Sequence, residues 1–326
     1  MQKINIGIIG GAGYTGGELL RVLLRHPNVN INFVHSTSNA GALVSTVHTD
    51  LIGDTDLVFA SAIDQSIDVL FLCVGHGDAR KFLTTNDIKS STKIIDLSQD
   101  FRLADSASIN GRHFIYGLPE LQKDKIKSAT AIANPGCFAT AIQLGLLPLA
   151  SNGLLQDVYT TGITGSTGAG QGLATTSHFS WRANNIAAYK SLNHQHINEI
   201  HQGLSFLQGH TNAAVHFVPW RGDFTRGIFV SSVISTTLSI EALYAMYDAY
   251  YAEHVFTHVS KNNIDLKQVV NTNKCLIHIE QQGNKIVIHS VIDNLLKGAV
   301  GQAVQNMNLL FHLDESIGLN MKANFF

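Results

Sequence analysis

Ile4 to Ile9 is an almost unbroken apolar run, the pattern of a strand buried on both faces of a parallel sheet. It leads into Gly10-Gly11-Ala12-Gly13-Tyr14-Thr15-Gly16, after which apolar residues recur at helical spacing from about Thr15 to Arg25. His26-Pro27-Asn28 stops that helix, and Val29 to His35 reads as a second strand. Asp68 to Gly75 and Lys93 to Ser98 are further apolar runs at βαβ spacing, each ending in small or polar residues. Ser128 to Ala133 is one more short strand, and Phe138 to Ala150 returns to helical spacing. Cys73 falls between Leu72 and Val74 and reads as core.

The pattern changes beyond that point. Val158 to Thr164 is a strand that runs into Gly165-Ser166-Thr167-Gly168-Ala169-Gly170. Ala213 to Pro219 and Gly227 to Thr237 are longer and rich in β-branched residues, and Ser239 to Ser260 reads as an amphipathic helix. Cys275 to Ile279 and Lys285 to Ile292 form a hairpin across Gln281 to Asn284. The chain closes on a long helix, about Leu295 to Leu313. The expected fold is α/β: a Rossmann-type doubly wound parallel sheet plus an α+β catalytic and dimerisation domain. Residues 1–135 form the dinucleotide-binding domain, completed by the C-terminal helix within 298–326, and residues 136–297 form the second domain.

The glycines give the first half its chemistry. Gly11, Gly13 and Gly16 satisfy G-x-G-x-x-G, and Gly10, Gly13 and Gly16 satisfy the related G-x-x-G-x-x-G. Such a turn lets the backbone approach a pyrophosphate, and the helix behind it aims its first amides at the anion. An ordinary glycine-rich turn is the plainer alternative. The order strand, glycines, helix, proline stop and strand favours the nucleotide. The second strand ends in His35-Ser36-Thr37-Ser38-Asn39, without the acidic residue that accepts from the ribose of NAD. Hydroxyl groups there accommodate a 2′-phosphate, which predicts NADP(H). Gly75 and His76 end a further strand on the side where the nicotinamide or its ribose would pass; a plain loop histidine is the other reading.

Composition narrows the class. The chain has 326 residues, 45% of them hydrophobic and 14% charged, which is ample for two domains with a large core. A formal charge of −2 leaves no electrostatic footprint for nucleic acid or an anionic membrane. Three cysteines without paired spacing predict a reducing compartment, and no apolar run approaches the length of a membrane span. The strand begins within a few residues of Met1, which leaves no room for a signal peptide. The expectation is a cytoplasmic protein.

Asn134-Pro135-Gly136-Cys137 places a cysteine at the start of the helix over Phe138 to Ala150. Unpaired amides and the positive end of the helix dipole favour thiolate there, and a thiolate is the nucleophile of acyl chemistry. A small buried residue is the bland reading. The segment Thr164 to Gly170 has no dinucleotide fingerprint, but consecutive glycine and hydroxyl residues build anion nests, and a flexible loop is the alternative. Of Arg221 and Arg226 between two strands, Arg226 is favoured for an anion. His194-Gln195-His196 precedes Ile197-Asn-Glu-Ile-His201. A metal site there is discounted, and an acid/base partner for Cys137 fits better.

With these pieces assembled, the chain resembles the N-acetyl-γ-glutamyl-phosphate reductases, within the wider semialdehyde dehydrogenase group, over nearly its whole length. The resemblance rests on Gly10-Gly-Ala-Gly-Tyr-Thr-Gly-Gly-Glu-Leu19, Asp96-Leu-Ser-Gln-Asp-Phe-Arg-Leu103, Tyr116-Gly-Leu-Pro-Glu120 and Asn134-Pro-Gly-Cys137. Gly168-Ala-Gly170, Arg226-Gly-Ile228, Asp293-Asn-Leu-Leu-Lys-Gly-Ala299 and Gly301-Gln-Ala-Val-Gln-Asn-Met-Asn308 extend it. It implies an NADPH-dependent reductase of arginine biosynthesis that converts an N-acyl-γ-glutamyl phosphate to its semialdehyde through a thioester on Cys137, with His194 or His196 as acid/base. It further implies cofactor contacts from Gly10, Gly11, Ala12, Gly13, Tyr14, Thr15, Gly16, Ser36, Thr37, Ser38, Gly75, His76 and Asn294. Asn134, Gly165, Thr167, Gly168 and Arg226 are the implied substrate contacts, and no metal is implied. The family's Gly-His-Arg-His-x-Pro-Glu-Ile segment reads Asn193-His-Gln-His-Ile-Asn-Glu-Ile200 here, and a commonly basic position is Gln171. Those departures leave the acyl group open between acetyl and succinyl, with Arg221 available to compensate. The expected assembly is a homo-oligomer, dimer or tetramer. Aspartate-semialdehyde dehydrogenase is the close alternative, and a non-catalytic NADPH-sensing regulator the distant one.

Overall fold

The computed structural model describes residues 3–209 and 213–326. One unit comprises Met1–Pro135 with Ala299–Asn320. In chain order it holds β1 (Ile4–Ile9), α1 (Tyr14–Leu23), β2 (Val29–His35), β3 (Phe59–Ala60), β4 (Val69–Leu72), α2 (Asp78–Thr85) and β5 (Lys93–Asp96). These are followed by β6 (Ser108–Ile109), β7 (Arg112–His113), β8 (Ile115–Tyr116), α3 (Pro119–Ser128) and β9 (Ala131–Ala133). Seven of the strands form one sheet in the order β3-β2-β1-β4-β5-β9-β8, with every pair parallel, and β6 and β7 make a small separate hairpin. The apolar runs are strands because both their faces are covered: Ile6, Ile8, Val69, Leu70, Phe71, Leu72, Ile94 and Ile95 are all fully buried. Strand order reverses between β1 and β4, which opens a crevice beyond their carboxyl ends.

The other unit is Gly136–Gly298 with Met321–Phe326. It contains α4 (Cys137–Ser151), β10 (Val158–Thr164), α5 (Phe179–Arg182), β11 (Ala187–Ala188), α6 (His196–Gln208), β12 (Val215–Arg221) and β13 (Ile228–Ser235). Then come α7 (Ile240–Tyr251), β14 (Thr257–Ser260), β15 (Cys275–Gln282) and β16 (Lys285–Ile292). Its seven-stranded sheet runs β11-β12-β10-β13-β16-β15-β14 and is mixed, with β10/β12 and β14/β15 parallel and the other pairs antiparallel. Alternation sets its two faces: Val158, Thr160, Ile228, Val230, Ile286 and Ile288 are buried, whereas Tyr159, Ser231, Val233 and His289 stay partly or largely exposed. A side chain at Gly162 would bring its Cβ within 2.6 Å of the Phe138 ring, so glycine there lets α4 settle onto β10.

The last helix, α8 (Gly301–Leu310), follows a π-helical turn over Leu296–Val300 and belongs to the first unit. It packs against α3 and β5, and its Val304 and Met307 are fully buried. Its amides also bind the sheet: Asn306 Nδ2 donates to Gly117 O (2.9 Å) and Asn134 Oδ1 (3.1 Å), and Asn308 Oδ1 meets His26 Nε2 at 3.0 Å.

Two expectations need correction. The segment Ser239–Ser260 is not one helix: α7 stops at Tyr251, and β14 adds an edge strand beside β15. The β-branched alternation of Val255-Phe-Thr-His-Val259 outweighs helical spacing there. The closing helix is shorter than expected at both ends and begins with the π turn. Cys73 sits just past β4 and is buried, with its thiol pushed well above the ordinary range by burial and by Asp96.

Candidate active site

A cleft of about 640 Å³ opens at the carboxyl ends of β1, β2 and β4 in the first unit. Gly10, Ala12, Gly13, Ser36, Thr37, Ser38, Val74 and Lys81 are among its lining residues. Gly10 has φ +79°, and a Cβ there would lie 2.3 Å from the Cys73 carbonyl oxygen, so only glycine fits. Gly11 and Gly16 serve packing: a Cβ on Gly16 would stand 2.6 Å from Gly11 Cα, which brings α1 close under the loop. Tyr14 and Thr15 open α1 behind Gly13. His48, missed in the sequence, locks the loop by its Nε2 contact with Gly11 O at 2.7 Å, in space that Gly17 leaves free. Gly75 and His76 are not lining residues of the cleft. The Asp78 carboxylate folds against Gly75, and His76 Nδ1 accepts from Gln99 N–H at 3.2 Å.

In the second unit, Cys137 is the first residue of α4, behind Gly136 as N-cap. The Gly136 N–H donates to Glu199 Oε2 at 2.9 Å. Glu199 is buried on α6, one turn after His196, and its Oε1 lies 3.9 Å from His196 Nε2. Glu199 was overlooked although its spacing from His196, three residues along one helix face, was legible. A Cβ on Gly298 would fall 2.8 Å from Cys137 Cβ, so the chain presses close beside the sulfur there.

Tyr189 and His194 reach the same neighbourhood along β12. Ala187 and Ala188 pair with Arg221 and Trp220, and Tyr189 N–H then donates to Pro219 O at 3.1 Å. Lys190 and Leu192 take positive φ of 48° and 60° in this short stretch, strain of the kind that aims side chains at functional sites. His194 is edge-on to Phe138, Tyr189 and Phe217, with its ring 4.6 Å from that of His196. Its Nδ1 accepts from the His196 N–H at 3.2 Å. Burial, followed by the charge of His196, lowers the His194 pKa to about 3. Burial also pushes the Tyr189 phenol up to about 12; the Cys137 sulfur adds to the rise and Arg221 opposes it.

His194 therefore stays neutral across the working range. We expect its ring resonances not to titrate between pH 5 and 8, whereas an exposed histidine would move near 6.5. The unfolded chain takes up a proton near 6.5 that the folded chain refuses until about 3. This residue's contribution to stability is thus fully present above 6.5 and declines as pH falls through that window.

The expected substrate contacts fare differently. The amides of Gly165, Ser166, Thr167 and Gly168 donate to the carbonyls of Gly227, Phe224, Thr225 and Gly165, so the anion nest is not formed; these donors are already spent. Arg226 holds Asp293 through Nε and Nη2 at 3.0 and 3.1 Å, an ion pair with a fully buried carboxylate. Its Nε–Nη2 edge braces the turn at Asp293. Asn294 accepts from Gly227 N–H (2.7 Å) and donates to Thr167 Oγ1 (3.0 Å), which ties that same loop in the second unit. Asn134, in the first unit, is buried and donates to Ala299 O at 2.9 Å; it too is a brace.

Residues 5–129 match the family model for the semialdehyde dehydrogenase NAD binding domain, and residues 137–294 that for its dimerisation domain. An N-acetyl-gamma-glutamyl-phosphate reductase of Phocaeicola vulgatus is 54% identical over 325 residues, covering 99% of this chain and all of that protein. One of Christiangramia forsetii is 52% identical over 324 residues, again with 99% and full coverage. This chain belongs to that reductase family. Among solved structures, aspartate semialdehyde dehydrogenase II of Vibrio cholerae superposes with a TM-score of 0.75 at 16% identity, covering 96% of this chain and 99% of that one. At that identity the likeness carries the fold: a Rossmann-like parallel-sheet domain and a mixed-sheet domain. No helix among the described residues is long and apolar enough to cross a membrane.

Proposed function

We propose that the chain is an NADPH-dependent reductase of N-acyl-γ-glutamyl phosphate, releasing the semialdehyde and phosphate. The observation that carries this reading is the start of α4, where Cys137 follows an amide held by Glu199, which also faces His196. The Cys137 thiolate attacks the acyl carbonyl, the C–O bond to phosphate breaks, and a thioester forms on the sulfur. When bound, the nicotinamide supplies the hydride that reduces this thioester. First-turn amides of α4 stabilise the oxyanion, and His196 protonates it, because His194 is held neutral with Nδ1 as acceptor. His196 then takes that proton back as the carbon–sulfur bond breaks, which frees the aldehyde and the thiolate.

The glycine loop and cleft suit a dinucleotide pyrophosphate. Ser36, Thr37, Ser38 and Lys81 line the same cleft, and Lys81 is the one lysine or arginine among its described lining residues. Hydroxyl groups and an ammonium favour a 2′-phosphate, so fluorescence titration is expected to give tighter binding of NADPH than of NADH. Lys81→Ala weakens NADPH by about tenfold and leaves NADH unchanged, as for the loss of one charged hydrogen bond. Tighter NADH binding by the unaltered protein would remove the NADP assignment. The partly exposed face of the mixed sheet fits a homo-oligomer, dimer or tetramer, and three cysteines outside disulfides fit a cytoplasmic enzyme.

The assay is phosphate-dependent NADP reduction with N-acetyl- and N-succinyl-glutamate semialdehyde side by side, with aspartate semialdehyde as the competing substrate. Turnover of aspartate semialdehyde alone would replace this reading.

A further inference from the structure

Arg226 turns its Nε–Nη2 edge onto Asp293, but two other guanidinium groups in the second unit have no carboxylate on that edge. Arg221 ends β12 and lies with its guanidinium carbon over the Tyr189 ring, 4.6 Å from the centroid. Arg182 ends α5 and is tied alongside: its Nη1 donates to the carbonyls of Arg221 (3.2 Å) and Gly222 (3.3 Å), and Nη2 donates to Thr176 O (3.2 Å). On both side chains the Nε atom is buried with no acceptor. A buried N–H left unmatched is a penalty the fold normally removes, and one on a cation more so.

The two cations also repel. Burial and the charge of Arg221 depress Arg182, with Asp223 opposing, and Asp223 is itself bonded to the Asn184 N–H at 2.6 Å. An anionic guest would satisfy both Nε donors and relieve the repulsion. The place is right for substrate: the Tyr189 ring under Arg221 meets His194 edge-on at 5.8 Å, and His194 meets Phe138, the residue after Cys137, at the same distance.

We propose that Arg221, stacked on Tyr189 and backed by Arg182, is the subsite that takes a carboxylate of the substrate. The edge formed by Nε and one Nη matches a carboxylate in bidentate geometry. This rests on the reading of the chain as an N-acylglutamyl-phosphate reductase. Such a substrate has one carboxylate on its α-carbon, and a second where the acyl group is itself dicarboxylic.

Steady-state kinetics on the full enzyme with N-acetyl- and N-succinyl-glutamate semialdehyde separate the two sources. Arg221→Gln should raise KM about ten- to a hundred-fold, the loss of a charged hydrogen-bond pair. The kcat, and the KM values for phosphate and NADP, stay within about threefold. Equal rises with both semialdehydes assign the α-carboxylate, and a rise confined to the succinyl substrate assigns the acyl carboxylate. Arg182→Gln, should Arg221→Gln fail to fold, is expected to move the same KM in the same direction. Arg221→Lys, which keeps charge and loses the fork, falls between. Calorimetric binding of N-acetyl- and N-succinyl-glutamate gives a readout independent of turnover and weakens in both glutamine variants. Unchanged KM and unchanged binding in both variants would overturn the subsite, as would a rise confined to phosphate. An unaltered enzyme that turns over neither semialdehyde sinks the reductase reading instead, and calorimetry still decides the subsite.

Discussion

Cys137→Ser is expected to lower kcat for phosphate-dependent NADP reduction by at least about 10⁴-fold, the scale seen when a covalent nucleophile is removed. The substitution is nearly isosteric, and the surroundings of Cys137 admit it. Phe138 is seated against Gly162 and Phe217, and Gly298 already leaves room beside the β-carbon. The fold is therefore preserved, and NADPH affinity stays within about twofold, because the glycine loop and the cleft residues are unchanged. What is lost is ionisation: a serine hydroxyl lies many pK units above the range in which the start of a helix can hold an anion. A serine variant with a rate within tenfold of the unaltered enzyme would exclude the thioester route.

The second large effect belongs to His196. His196→Asn should lower kcat about 10²- to 10⁴-fold with KM for the semialdehyde little changed, the signature of an acid/base that acts in the transition state. His194→Asn should lower it far less, since a ring that burial holds neutral does not become the imidazolium acid at the working pH. Glu199→Gln separates position from proton transfer. The amide oxygen still accepts from Gly136 N–H while the charge facing His196 is gone. We expect a loss smaller than that of His196→Asn, together with a displaced pH profile. Equal losses in the His194 and His196 variants would show that the pair works as one unit.

Much of this was legible in the sequence because period and punctuation agreed. β1, β2 and β10 have the bounds that apolar runs and glycines indicated, and the hairpin of β15 and β16 turns within the glutamine–glycine–asparagine segment. Short strands such as β3, β8 and β11, of two residues each, carry no period to detect. The edge strand β14 was absorbed into a helix because it follows α7 closely and no glycine or proline separates the two. At the site, residue type was readable and commitment was not. Arg226 and Arg221 look alike in sequence, yet one meets a buried aspartate and the other a tyrosine ring. The amides of Gly165 to Gly168 were expected to be open, but whether an N–H is spent depends on the strand-to-strand turn that passes beside it. Long-range partners of this kind have no local signature.

The return of α8 to the first unit bears on how the chain is made. A ribosome emits the N-terminal strands first, at about 5–20 residues per second, and Gly136–Gly298 of the second unit must follow before α8 emerges. Until then the nascent sheet lacks the side chains of Asn306 and Asn308, which bind Gly117, Asn134 and His26. Val304 and Met307 are missing too, and the apolar surface they cover stays wet. The nucleotide-binding half can mature only after translation ends, so a chain arrested before residue 299 should be a substrate for chaperones and proteases during synthesis.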